Sequence, residues 1–199
     1  AIASDGSGSP DTVAHGYQPV VSPDGSSLVY TVDRKGSGDL WVIPLDRASA
    51  AKPFLDTPAD ESAPSFAPDG RWLAYASDES GHNEIYIRRF PDGDARAQVS
   101  VNGGSWPRWT PRGDGIYYAK HDTLMLVPVG TGPRLTLGLP RALFATTASE
   151  FKLSASIMGG FPVDAHPDGA RFIGVRQIGQ PAPPSLLFVE NWFEEFRKR

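Results

Sequence analysis

Short apolar runs separated by polar, glycine-rich breaks recur along the chain. Ser27–Val32, Leu40–Pro44, Trp72–Ser77, Glu84–Arg88, Gly115–Ala119 and Leu124–Pro128 are five or six residues each. They are too short for helices and rich in β-branched and aromatic residues, so they predict strands. Arg71–Ala76 is apolar at nearly every position, the pattern of a strand covered on both faces. The most complete stretch is Phe66–Arg89. It holds a strand end, a Pro-Asp-Gly turn, a strand, the polar loop Ser77–Asn83 and a third strand at Ile85–Ile87.

The turn has clear chemistry. In Ala67-Pro68-Asp69-Gly70, Pro68 presets φ at the first central position and Asp69 suits the second. Gly70 takes the positive φ that follows, which predicts a type I turn joining antiparallel strands. The turn recurs at Ser22-Pro23-Asp24-Gly25, Thr110-Pro111-Arg112-Gly113 and His166-Pro167-Asp168-Gly169. Its prolines, Pro23, Pro68, Pro111 and Pro167, are 45, 43 and 56 residues apart. Leu28, Leu73, Ile116 and Phe172 follow at one fixed offset, and Tyr30, Tyr75 and Tyr118 at another. Pro19, Pro64 and Pro107 precede the first three turns at a third offset. This internal period predicts an all-β protein, a β-propeller of four-stranded antiparallel blades, with about four blades present.

Each copy divides into strands A to D. The expected order is Pro19–Ser22, Ser27–Val32, Leu40–Pro44 and Pro53–Leu55, then Pro64–Ala67, Trp72–Ser77, Glu84–Arg88 and Ala97–Ser100. The third copy is Pro107–Thr110, Gly115–Ala119, Leu124–Pro128 and Ala142–Ala145. The fourth is Phe161–Ala165, Arg171–Val175 and Ser185–Val189, without a D strand, after an insertion at Thr146–Gly160. The blades then run 15–56, 57–100, 101–148 and 149–189. Residues 1–14 read as the end of a preceding blade, with Asp11–Ala14 as its D strand. Residues 190–199 carry a helix signal, with Asn191 as cap and Glu194 in capping-box position. An unpaired blade edge and face are costly, which favours part of a larger propeller over a small ring closed by the N-terminal strand.

Composition narrows the partners. Hydrophobic residues at 40% and charged residues at 21% fit a folded globular chain. A net charge of -4 gives no clustered basic surface for nucleic acid. No apolar run is long enough to insert into a membrane. With no cysteine, thiol chemistry and disulfides are excluded.

Ser22–Gly25 with Asp39–Val42, and Ala67–Gly70 with Glu84–Ile87, resemble the TolB-type repeat, also called the WD40-like or PD40 repeat. Gly103–Trp109 and the ending Asn191–Phe196 are similar to the same family. Together they most resemble propellers that follow a bacterial serine/threonine kinase domain or stand alone. Arg112 departs from the pattern where Asp is usual, and no kinase motif is present. The resemblance implies a bacterial, periplasmic or otherwise extracytoplasmic protein that contacts other proteins.

In an up-and-down blade the A–B and C–D turns share one side of the disc, so the Pro-Asp-Gly turns mark one face. The opposite, axial face gathers His15–Tyr17, Asp60–Ser62, Asn102–Trp106 and Gly159–Gly160, with Lys35–Gly38 and Ser80–Asn83 as loops further out. These segments differ from copy to copy, as binding loops on a rigid scaffold do. Tyr17, Trp106 and Arg108 are the first candidate contacts, with wedge packing as the competing role for the two aromatics. Glu61, Asn102 and His15 complete the set. Glu61 and Asp60 could meet a cation or a basic partner, but the reading as solvated loop acids is favoured. Trp109 reads as core, in line with Phe66 and Val21.

His15, His82, His121 and His166 show no ligand spacing, so no metal centre is expected. Asp78, Ser80, His82 and Glu84 alternate as oxygen- and nitrogen-bearing side chains. A bound calcium is conceivable there, but the EF-hand order is not met and turn residues that bond the backbone are the favoured explanation. Two functional classes remain. One is a non-enzymatic binding or sensing propeller for a protein, peptide or glycan, with self-association through an open blade as a further contact. The other is a hydrolase or lyase with a metal or His in the central tunnel. The lack of a convergent His/Asp/Glu set favours the first.

Overall fold

The computed structural model describes residues 12–34, 36–46, 49–132, 134–145, 163–166 and 171–174. The first sheet has the order β1 (Tyr17–Val21), β2 (Ser27–Arg34), β3 (Ser37–Pro44) and β4 (Lys52–Leu55). The second is β5 (Glu61–Phe66), β6 (Trp72–Ser77), β7 (Glu84–Arg89) and β8 (Arg96–Gln98). The third sheet runs β9 (Ser105–Trp109), β10 (Gly115–Lys120) and β11 (Thr123–Thr131). The long β11 then pairs with β12 (Leu135–Leu137) at its far end and with β13 (Arg141–Ala145) at its near end. β14 (Val163–Ala165) and β15 (Phe172–Gly174) start a fourth sheet. All pairings are antiparallel, as neighbouring strands joined by short turns require.

The first three turns form as the sequence predicts, and the fourth, expected at His166-Pro167-Asp168-Gly169, lies outside the described residues after His166. Gly25, Gly70 and Gly113 have φ of 72°, 71° and 72°, and each N–H donates back across its turn to Ser22, Ala67 or Thr110. Asp24 and Asp69 accept the N–H two residues on, which fixes the turn. At the third turn Arg112 cannot do this. There Asp114 accepts from the Thr110 hydroxyl at 2.6 Å and its N–H returns to the same oxygen at 3.1 Å. A Cβ built on Gly70 would lie 3.5 Å from Pro23, and one on Gly113 would lie 3.3 Å from Pro68. Each turn proline thus leans on the turn glycine of the next sheet, tying the period to inter-sheet contact.

The cores lie between sheets. Leu73, Tyr75 and Tyr86 face back onto Val29, Leu40, Val42 and Leu55 of the first sheet. Ala74, Ala76, Ile85 and Ile87 face forward onto Ile116, Tyr118 and Val127 of the third. Every residue of β6 is buried, as its continuous apolar run predicts. Tyr117, Ala119 and Leu124 pack on Val163, with Phe172 partly buried beside them. Val21, expected in the core, is instead 51% exposed. It shares a side of the first sheet with Leu28, and among the described residues no sheet covers that side of β1.

Several strands begin earlier than expected. β1, β5 and β9 extend past the prolines to Tyr17, Glu61 and Ser105, because pairing resumes beyond a bulge. Ser37 and Gly38, expected in a loop, belong to β3. Pairs Arg34↔Ser37 and Asp33↔Gly38 close the hairpin next to Gly36, whose φ is 86°. The β12 hairpin within the third sheet was not foreseen. Of the D strand expected at Asp11–Ala14, the described part, Thr12–Ala14, forms no strand, and no ladder partner is described beside it. The expected insertion at Thr146–Gly160, the strand Ser185–Val189 and the C-terminal helix lie outside the described residues.

Candidate functional site

The A strands of the first three sheets lie at the sheet edges, where β1 packs against β5 and β5 against β9. Each carries the same irregularity. Gln18 and Pro19 together oppose Tyr30, Ala63 and Pro64 oppose Tyr75, and Trp106 and Pro107 oppose Tyr118. This is a bulge, with two residues facing one. The first residue of each pair has positive φ: 51° at Gln18, 52° at Ala63 and 56° at Trp106. None is a glycine, so each position holds backbone strain of order 1–3 kcal/mol. A proline cannot donate to the ladder, and its recurrence at this offset is the sequence signal that marks the bulges.

The bulges stitch neighbouring sheets together. Gln18 Oε1 accepts from the Ala63 N–H at 2.7 Å and from the Thr31 hydroxyl at 3.3 Å. The connection before β5 is pinned as well. Ser37 Oγ donates to Ala59 O at 2.7 Å, the Gly38 N–H to Asp60 Oδ1 at 2.8 Å, and the Asp60 N–H to Asp78 Oδ1 at 2.8 Å. Gly38 must be glycine here, since a Cβ would come within 2.7 Å of both Asp60 Oδ1 and Glu61 O.

This roof changes the reading of Glu61. It is not a solvated loop acid but 1% exposed, at the first position of β5. Glu61 stands where the flanking sheets have Gly16 and Gly104, both too crowded for a Cβ: at Gly16 by Thr31 O and Tyr30, at Gly104 by Ser100 and Ile85. Thr57 donates to Glu61 Oε1, while Oε2 is buried with no partner among the described residues. Burial pushes its carboxyl up to about 7. Asp39, Asp60 and Asp78 add to that, and the Thr57 bond opposes it.

Glu84, at the start of β7, is the contrasting case. Burial alone would raise its pKa. Bonds from the Ser100 hydroxyl, the Gly103 N–H at 2.8 Å and His82 Nε2 at 2.8 Å outweigh that and hold it below the ordinary value. Asp39 is raised by burial first and by Asp56 next.

The remaining candidates fall as follows. Tyr17 is 43% exposed at the axial end of β1, and burial, then Asp60 and Asp33, raises its hydroxyl pKa. Asn102 is exposed with φ of 61°, immediately before Gly103. Arg108 is exposed on β9 but pairs with Tyr117, one step from the turn end of that strand, and His15 is exposed ahead of β1. Trp106 is half-buried against Tyr117, Ala119 and Leu124, so its ring serves the wedge packing weighed from sequence. Trp109 is core, as expected. The structure thus joins Tyr17, Asp60 and Glu61 across two sheets. Asn102, Trp106 and Arg108 belong to the next A strand and its approach, and among the described residues no hydrogen bond or ion pair joins His15 to either group. The bulge residues Gln18 and Ala63 were not among the candidates.

The polar loop residues bond the protein itself. Asp33 accepts from the Gly36 N–H at 3.0 Å, and Ser80 Oγ donates to His82 O at 3.2 Å. Among the described residues, no three His, Asp or Glu side chains come together as a metal set would.

Antiparallel four-stranded sheets, repeated with their A strands along one row, define a β-propeller architecture. Residues 9–129 match the TolB beta propeller domain, PD40, and the chain belongs to that family. Among solved structures it is similar to the TolB-like protein of Agrobacterium tumefaciens. That match has 20% identity, covers 66% of this chain and 50% of that one, and has a TM-score of 0.53. It is also similar to the β-propeller domain of Myceliophteria thermophila Cps50 (Swd1), with 15% identity, coverage of 82% and 50%, and a TM-score of 0.57. A third likeness is to a puromycin-hydrolyzing peptidase of Mycobacterium tuberculosis, with 20% identity, coverage of 76% and 26%, and a TM-score of 0.55. At these identities the likeness is one of fold. The chain spans half or less of the length of these three proteins. No curated protein sequence matches it.

Proposed function

We propose that this chain is a non-enzymatic binding or sensing module that engages a protein or peptide through its axial face, opposite the Pro-Asp-Gly turns. In this reading it serves as the sensing part of a longer bacterial protein, and the family favours the periplasm. The supporting observation is the row of three bulges with Gln18, Ala63 and Trp106 at positive φ. Backbone strain repeated at one end of a scaffold is retained where the surrounding side chains must be aimed. The first residue of each bulge and the connection before it differ between sheets, whereas the turns on the other face share their proline and glycine. Exposed Tyr17 and Asn102 supply an aromatic and an amide to a partner at this face, with the Arg108 guanidinium further along β9 towards the turns.

The double variant Tyr17→Ala/Asn102→Gly, in which glycine keeps the positive φ of position 102, tests this reading. Capture of a specific partner from extracts of the native host should fall roughly tenfold or more, a loss of about 1.4 kcal/mol. Arg112→Ala, on the turn face, should leave it unchanged. Full capture by a double variant that melts like the parent would sink the axial-face assignment.

A further inference from the structure

A separate groove lies on the turn side, between the outer parts of the first two sheets. It has a volume of about 400 Å³ and is walled by Pro53, Phe54, Phe90 and Pro91, with Lys52 and Arg88 among its polar lining. That size is within the range of small-molecule sites. Phe90 packs 5.5 Å from Phe54 and edge-on to Phe66 at 4.9 Å, so the aromatic wall is braced by the core.

Arg88 is the unusual member. It follows Tyr86 by two residues on β7 and pairs with Leu73. The corresponding positions are Ile43, opposite Leu28, and Val127, opposite Ile116. The fold therefore accepts an aliphatic side chain here, and only the second of these sheets carries a cation. Among the described residues the guanidinium makes no ion pair. Its Nε is shut off from solvent without a hydrogen-bond acceptor. The stem is held against Gly93, where a Cβ would lie 3.7 Å from Arg88 Cδ. That enclosed nitrogen lies beyond a groove ligand's reach, but Arg88 as a whole is half-buried and lines the groove, so its terminal nitrogens are the donors it offers there.

We propose that this groove binds a small monocarboxylate with an aromatic or aliphatic body. The carboxylate accepts from Arg88, with Lys52 as a second cation, and the body lies along Phe54, Phe90 and Pro91. A guanidinium offers a planar fork suited to a carboxylate. The exposed Asp92 carboxylate on the same groove disfavours anions of higher charge. This site is independent of the axial face and stands or falls apart from it.

Phenylacetate is the probe, titrated into the full chain while amide shifts are followed by NMR. Saturable shifts centred on Phe54, Phe90 and Gly93 are expected. Phenylacetamide, with the same body and no charge, should bind roughly tenfold more weakly or worse. Arg88→Ile, which installs the side chain of the first sheet, should abolish the preference for the acid. The proposal is overturned if phenylacetate does not saturate, if acid and amide bind equally, or if Arg88→Ile binds the acid as the parent does. Inorganic phosphate displacing the acid at equal concentration would overturn the carboxylate assignment. The acid–amide comparison uses the unaltered chain, so it decides the matter even where the variant does not fold.

Discussion

Glu61 and Glu84 are buried carboxyls in one sheet with opposite electrostatics. Glu84 meets a hydroxyl, a backbone N–H and an imidazole, and its charged form is favoured. Among the described residues Glu61 meets Thr57 alone, beside three aspartates, and its neutral form is favoured over what an ordinary carboxyl shows. The sign of the pH effect follows. Between about 4.5 and about 7 the folded chain holds a proton on Glu61 that the unfolded chain has released, so stability falls as pH rises through this window. At 1.36 kcal/mol per unit the loss is on the order of 3 kcal/mol, complete above the folded value. Glu61→Gln keeps the acceptor for Thr57 and removes the charge. Thermal melts should show the variant gaining on the parent as pH rises from 5 to 8, by roughly 1–3 kcal/mol at the upper end. Parallel pH profiles of the two proteins would contradict this account of Glu61. From sequence alone Glu61 stood out only as a loop acid. Its alignment with Gly16 and Gly104 was visible, but its burial depends on a roof built by Ser37, Gly38 and Asp78, far away along the chain.

At the scale of elements, the turns were legible because their chemistry is local. Proline, aspartate and glycine each set a dihedral or a hydrogen bond within four residues. The bulges were less legible. Gln18, Ala63 and Trp106 have no common side chain, and only the proline that follows each one marks the place. The turn glycines also separate local strain from inter-sheet contact. Gly25 has positive φ and open space, whereas Gly113 has the same φ and lies against Pro68. Gly25→Ala should cost about 1 kcal/mol from backbone strain alone. Gly113→Ala should cost about 1–2 kcal/mol more, because Pro68 must also give way. Urea melts of the two variants check this, and equal losses would contradict the stacking of turn prolines on turn glycines.

For the whole molecule, the internal period told most of the architecture. Leu28, Leu73 and Ile116, with Tyr30, Tyr75 and Tyr118, mark one side of successive sheets, and the residues between them mark the other. Sheet-on-sheet burial follows from that alternation. What the period could not supply is what differs between the copies: the exposed Val21 side of the first sheet, the added β12 hairpin, the axial side chains and the lone cation at Arg88. Repeats encode packing, and departures from the repeat are where individual function is to be sought.

The central claim is that the axial face, and not the turn face, meets the partner. The most direct measurement places a photo-crosslinking residue at position 17, 102 or 112 and irradiates the full protein in its native host. Discrete adducts with one partner from positions 17 and 102, and none from 112, are the predicted result. Adducts from 112 alone would contradict the claim.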